Sequence, residues 1–200
     1  GTTATATGNV AIGYDALTTL STGSDQTAVG YQAGLALSTG VRSTLLGYKA
    51  GTALATGDSN VAIGWQALMT EDGHSNNVAV GASALQTQNA GAHAYNTAVG
   101  FEAGKAVTTG VQNTLMGGIA GDALTDADYN VAIGYSALSS DTLGSRSTAI
   151  GQEALAAQNF TTATDSYNTA VGFVAGAAVT TGIQNTLIGG RAGDSLTTGS

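Results

Sequence analysis

The sequence predicts an all-β chain, a parallel β-solenoid (β-roll) of about eleven 17-residue coils, from a repeat, a strand signal and a bend signal. The phrase Asn-(Val/Thr)-Ala-(Ile/Val)-Gly-aromatic-x-Ala returns eleven times, with its Gly running from Gly13 to Gly189. Eight of the ten intervals equal the one from Gly13 to Gly30, and the other two, Gly81 to Gly100 and Gly151 to Gly172, are longer by two and by four. A fixed period this short, below about 20 residues, is the signature of stacked coils rather than of a string of domains. Residues 1–200 therefore read as a single repetitive segment with coils at 9–193. The start at Gly1 and the close on a linker, Leu196 to Ser200, suggest a fragment of a longer fibre.

The strand comes first within each coil. Directly before the Gly stands a large aliphatic in every copy, from Ile12 to Ile188, and two positions earlier stands Thr or Val, as at Val10, Thr27, Val61 and Thr186. Both types favour extended backbone. A coil of this length leaves room for two short strands and two bends, with Gly at the bends and no helix. Coils stacked in register at about 4.8 Å make a rod of roughly 50 Å.

Four positions before the Gly is an amide column that includes Asn60, Asn77, Asn96, Asn113 and Asn130. In-register stacking lets such side chains hydrogen-bond up the rod, so the column reads as a structural ladder. Between the Thr/Val and the aliphatic stands Ala in eight copies and Leu in three, Leu45, Leu115 and Leu187. Side chains alternate along a strand, so both faces are apolar and both need cover. We expect the aliphatic face to line the coil and the Ala face, including Ala62, Ala79 and Ala98, to pack closely against a neighbouring chain. A longer period overlies this one. Four positions after the Gly the residues run Leu, Gly, Gly, Leu and repeat, so four coils form one block, as if duplicated.

The phrase Asn-Val-Ala-Ile-Gly-Tyr, at Asn9 to Tyr14 and at Asn130 to Tyr135, resembles the repeat of the YadA-like head of trimeric autotransporter adhesins, and the shafts of phage tail fibres and similar surface fibres. The resemblance covers about residues 8–193. It implies a left-handed, homotrimeric β-roll that lies outside the cell or on a virion. The period here is longer than that family's usual one, and the four-coil block is an addition to its pattern.

Composition narrows the chemistry. The chain has 30 Gly, no Pro, no Cys, and only 5 basic against 13 acidic residues, for a net charge of −8 and a sequence pI near 4.2. Nucleic acid is not an expected partner, because nothing here grips phosphate. No run approaches the length of a membrane helix, so this segment is not expected to insert. Absent Cys removes thiol catalysis and Cys-ligated zinc. His74 and His93 fall in linkers without an evident second ligand, and the acidic linkers lack the pattern of a calcium loop. Phosphate loops fail too, since no Lys-Ser/Thr follows the Gly-x-x-x-Gly spacings. We expect no catalytic residue, no metal and no cofactor.

What remains is contact chemistry. An aromatic follows the Gly in seven copies, Trp65 among them, and the linkers at 86–95 and 156–167 are longer than the rest. Trp65, Phe160, Tyr95 and Tyr167 are the candidate binding residues, with Phe160 the anchor of the longer linker. The expected function is a structural or adhesive fibre segment, a rigid rod that presents or spaces receptor-binding elements at a bacterial surface or on a phage tail. Its partners would be further copies of itself and a host-surface receptor or glycan. The alternative is a carbohydrate-binding module that uses the aromatic column and the inserted loops.

Overall fold

The computed structural model describes residues 5–91 and 93–199. It is an all-β parallel solenoid with no helix among the described residues. Eleven three-residue strands form one parallel sheet. They are β1 (Val10–Ile12), β2 (Thr27–Val29), β3 (Thr44–Leu46), β4 (Val61–Ile63), β5 (Val78–Val80), β6 (Thr97–Val99), β7 (Thr114–Met116), β8 (Val131–Ile133), β10 (Thr148–Ile150), β12 (Thr169–Val171) and β13 (Thr186–Ile188). Each pairs in register with the next, Val61 opposite Val78 and Ile63 opposite Val80 for example. The remaining strands, β9 (Gly144–Ser145) and β11 (Thr164–Asp165), form a two-stranded parallel pair that joins the longer inserted linker to the preceding coil. Most coils thus hold one strand rather than two. The rest of the coil is a run of turns that also stack by backbone bonds, as from Leu17 N to Ala33 O at 3.2 Å and from Leu68 N to Ala84 O at 3.0 Å.

The two faces of the sheet are the reverse of the sequence expectation. The middle residue of the strand, Ala62, Ala79 or Ala98, is wholly buried inside its own coil, while the flanking Thr/Val and aliphatic residues face outward. Physical width decides this. The interior must hold the strand and the turns that close on it, and it is filled by the Ala ladder, the Ala three after each Gly, and Leu or Val from the turns, such as Leu54, Leu124 and Val179. A larger strand side chain fits a coil this narrow only where the turns give way.

The glycines and leucines explain the four-coil block. Every motif Gly has φ between 127° and 145°, a region open to Gly and closed to side chains. Four positions later φ is positive again, whether the residue is Gly34 (60°) or Leu68 (50°). Where that residue is Gly, an added Cβ would press on the strand Leu: Gly34 and Gly51 on Leu45 at 2.7 and 2.8 Å, Gly104 and Gly121 on Leu115 at 2.6 and 2.8 Å. One strand Leu therefore fills the space of two missing turn Leu side chains. Core volume is held constant by exchanging small and large partners.

The amide column is structural, though its bonding differs from an amide-to-amide ladder. Asn60 Oδ1 accepts the backbone N–H of Asn77 at 3.0 Å, Asn77 Oδ1 that of Asn96 at 3.2 Å, Asn96 Oδ1 that of Asn113 at 2.8 Å, and Asn113 Oδ1 that of Asn130 at 2.9 Å. The same amides reach sideways to close the coil, Asn60 Nδ2 to His74 O at 2.7 Å and Asn130 Nδ2 to Gly144 O at 2.9 Å. Backbone groups that lie outside the strand pairing are satisfied in this way, which buried peptide groups require.

Candidate functional site

Three features face solvent in regular columns: the outer face of the long sheet, an aromatic column at its C-terminal margin, and a tyrosine column at its N-terminal margin. The outer face carries the Thr/Val and aliphatic positions of all eleven strands, and no charged residue occurs at either. Ile12, Leu46, Met116 and Ile188 are among its exposed large side chains. The aliphatic position is apolar in every strand, whereas the Thr/Val position is Thr in seven of the eleven, so the face is an uncharged stripe with one unbroken aliphatic column.

The aromatic column follows from the motif Gly. Its backbone is itself a ladder, with Gln32 N bonded to Tyr14 O, Lys49 N to Tyr31 O, Gln66 N to Tyr48 O and Ser83 N to Trp65 O, all at 2.8–2.9 Å. The register places Tyr14, Tyr31, Tyr48 and Trp65 one above another. Their rings stack with centroids 5.4, 5.2 and 6.3 Å apart and planes 10° from parallel. Tyr31 and Tyr48 spend both faces on their neighbours, so the column offers a sugar ring edges along this stretch. Trp65 is 51% exposed and ends the continuous stack, because the next rung is Ala82. Beyond it the aromatics occupy alternate rungs, Phe101, Tyr135 and Phe173, all exposed.

The tyrosine column holds Tyr95, Tyr129 and Tyr167, each at positive φ five positions before a motif Gly, and each exposed. Arg146 lies between the last two, its guanidinium carbon 4.6 Å from the Tyr129 ring centre and 6.0 Å from that of Tyr167. It pairs with Asp165 at 3.1 Å, and Tyr167 Oη donates to the same carboxylate at 3.3 Å. Tyr95 instead meets His93 edge-on. Tyr167 is thus tied into a cation–aromatic cluster, while Tyr95 stands with the shorter inserted linker.

Phe160 is not a surface anchor. It is buried to 6% exposure, its backbone N–H bonded to Asp141 Oδ1 at 3.0 Å. The linker is held against the preceding coil because β11 within it pairs in parallel with β9 of that coil, and because a buried polar cluster sits beneath it: Gln158 Nε2 donates to Asp141 Oδ2 at 2.6 Å, and Asn168 Nδ2 to Gln158 Oε1 at 2.9 Å. The shorter linker has the counterpart, in which Gln88 Nε2 reaches Glu71 Oε2 at 3.3 Å and Asn96 Nδ2 reaches Gln88 Oε1 at 3.2 Å. Both acids replace a turn Leu or Val of the other coils. Sequence reading missed these pairs, although their spacing was the available signal: Glu71 precedes Gln88, and Asp141 precedes Gln158, by one repeat interval, under the two linkers that carry insertions.

The turn also brings His74 its missing neighbours. Glu71, Asp72 and His74 offer ligand atoms within 4.8 Å of one another. Glu71 Oε1, however, already accepts the His74 backbone N–H at 3.0 Å and faces His74 Nδ1 at 2.5 Å. Asp141 caps its own turn in the same way, through Gly144 N at 3.1 Å, with no His beside it. Turn capping accounts for the arrangement.

One electrostatic perturbation lies on the turn side. Burial raises the carboxyl of Asp122 above the ordinary carboxylate range; its backbone hydrogen bond pulls the other way, the Glu102 charge adds to the rise and Lys105 opposes it. Its Oδ1 is buried without a partner. A folded value above the unfolded one means that the folded state holds more protons between the two values, so stability falls as pH rises through that window. Asp122→Asn is expected to raise the melting temperature at neutral pH, and the gain should vanish below the ordinary carboxylate range. Melts of both proteins at the two pH values check this.

No protein-family model matches the chain, and no curated protein or solved structure matches it either. No helix among the described residues is long and apolar enough to cross a membrane.

Proposed function

We propose that this chain is a segment of a rigid fibre, a left-handed homotrimeric rod that presents or spaces receptor-binding elements at a bacterial surface or on a phage tail. The observation that carries the reading is the outer face of the eleven-stranded sheet, uncharged along its length and crossed by an unbroken aliphatic column, in a chain of net charge −8. Water does not leave such a stripe uncovered at low cost, and a parallel copy offers the same stripe at the same interval. Association on this face leaves the aromatic and tyrosine margins and the inserted linkers toward solvent, where repeated weak contacts with a receptor or glycan add through multivalency. The function is mechanical: stacked backbone bonds and the Ala/Leu interior supply stiffness.

Light scattering on a sizing column tests it. The native peak is expected at three times the chain mass of 19.5 kDa. Val80→Glu with Val99→Glu, on the outer face, should give a folded monomer with unchanged circular dichroism. A wild-type monomer of 19.5 kDa at the same concentration would overturn the reading.

A further inference from the structure

The aromatic column contains both a filled rung between two aromatics and a vacant rung in the same register. Tyr31 lies between Tyr14 and Tyr48, two rungs apart from each other, with ring centroids at 5.4 and 5.2 Å. Ala82 lies between Trp65 and Phe101 in the same way. The backbone ladder continues through it unbroken, Ser83 N to Trp65 O at 2.8 Å and Glu102 N to Ala82 O at 2.9 Å, and β4, β5 and β6 stay in register. The backbone positions that carry the two rings therefore stand about 9.6 Å apart, twice the spacing of paired strands, with the Ala82 methyl group between them. Both walls are exposed, Trp65 at 51% and Phe101 at 59%. The vacancy at Gly118 is different, because Tyr135 leans over it, its Cδ2 only 3.4 Å from where a Cβ would stand. The rung at Gln152 is taken by that side chain, bonded to Glu153.

We propose that the vacant rung at Ala82 is a binding slot for one flat aromatic ring carried on a cation. The structure supplies the template for the ring in Tyr31. The charge preference follows from the negative faces of the Trp65 and Phe101 π-systems and from the chain's charge of −8. A ring entering the slot stacks on both walls and sheds water from two exposed aromatic faces at once. The slot lies on the aromatic column rather than on the sheet face, so it stands apart from the trimer reading.

Thioflavin T, a flat aromatic cation, is the probe, and Trp65 is the reporter because it is the chain's single Trp. Titration of the full chain should quench Trp65 emission saturably, with one dye per chain. Ala82→Tyr fills the slot and should weaken binding about tenfold or more, with circular dichroism unchanged. Phe101→Ala removes one exposed wall and should weaken it as well, which guards against a folding defect in the first variant. Equal binding by Ala82→Tyr and wild type, or no saturable quenching in wild type, overturns the proposal. The mass of each sample, measured alongside, reports separately on self-association.

Discussion

Gly117→Ala is expected to lower stability severely, whereas Gly118→Ala next to it is expected to be close to neutral. Gly117 has φ 135°, and a Cβ there would stand 2.5 Å from the carbonyl oxygen and 2.6 Å from the carbonyl carbon of Gly134 in the next coil. The conformation alone costs a non-Gly residue about 1–3 kcal/mol. The clash adds to it, because the obstacle is backbone in the adjacent rung and two coils must part to relieve it. Gly118 lies outside the positive-φ region, and its nearest neighbours would be Tyr135 ring atoms at 3.4 and 3.8 Å. Thermal unfolding followed by circular dichroism compares the two. Similar melting temperatures would mean that the coils can separate locally at little cost.

Leu115→Ala is the second large effect. Leu115 is wholly buried and fills the space above both Gly104 and Gly121. Removing it from a close-packed interior costs about 2–5 kcal/mol. A rod with nearest-neighbour coupling concentrates that loss at one block and broadens the transition. The size exchange makes a sharper claim: adding Gly104→Leu and Gly121→Leu converts the block to the Ala-and-Leu packing already present around Ala62, Ala79, Leu68 and Leu85. The triple variant should recover much of the lost stability, whereas Gly104→Leu alone, beside an intact Leu115, should be destabilising. If the triple variant melts no higher than Leu115→Ala, the exchange is not what sets the four-coil period.

The outer surface was only half legible. The aromatic column could be read from spacing, but not that the first four rings stack on one another, since ring orientation depends on the rung above. Phe160 read as a surface anchor because it lies in an insertion. The pairing of β11 with β9 and the cap from Asp141 turn it inward instead, and both β9 and Asp141 belong to the preceding coil. The acid–Gln pairs carry a period in the sequence and a reason only in the fold, where they stand in for turn leucines beneath the inserted linkers.

The sequence by itself determined the repeat, the strand in each coil, the in-register parallel stacking and the places where Gly is obligatory, because one short motif that returns eleven times at a nearly fixed interval leaves a chain few other ways to pair. It also showed that neither strand face carries a charge. Which of them turns inward was decided by the tertiary structure alone. Alternation assigns side chains to two faces without saying which one is inside, and the answer rests on the narrow width of a closed coil, which takes Ala beside the turn leucines and sends Val, Ile and Thr to the surface.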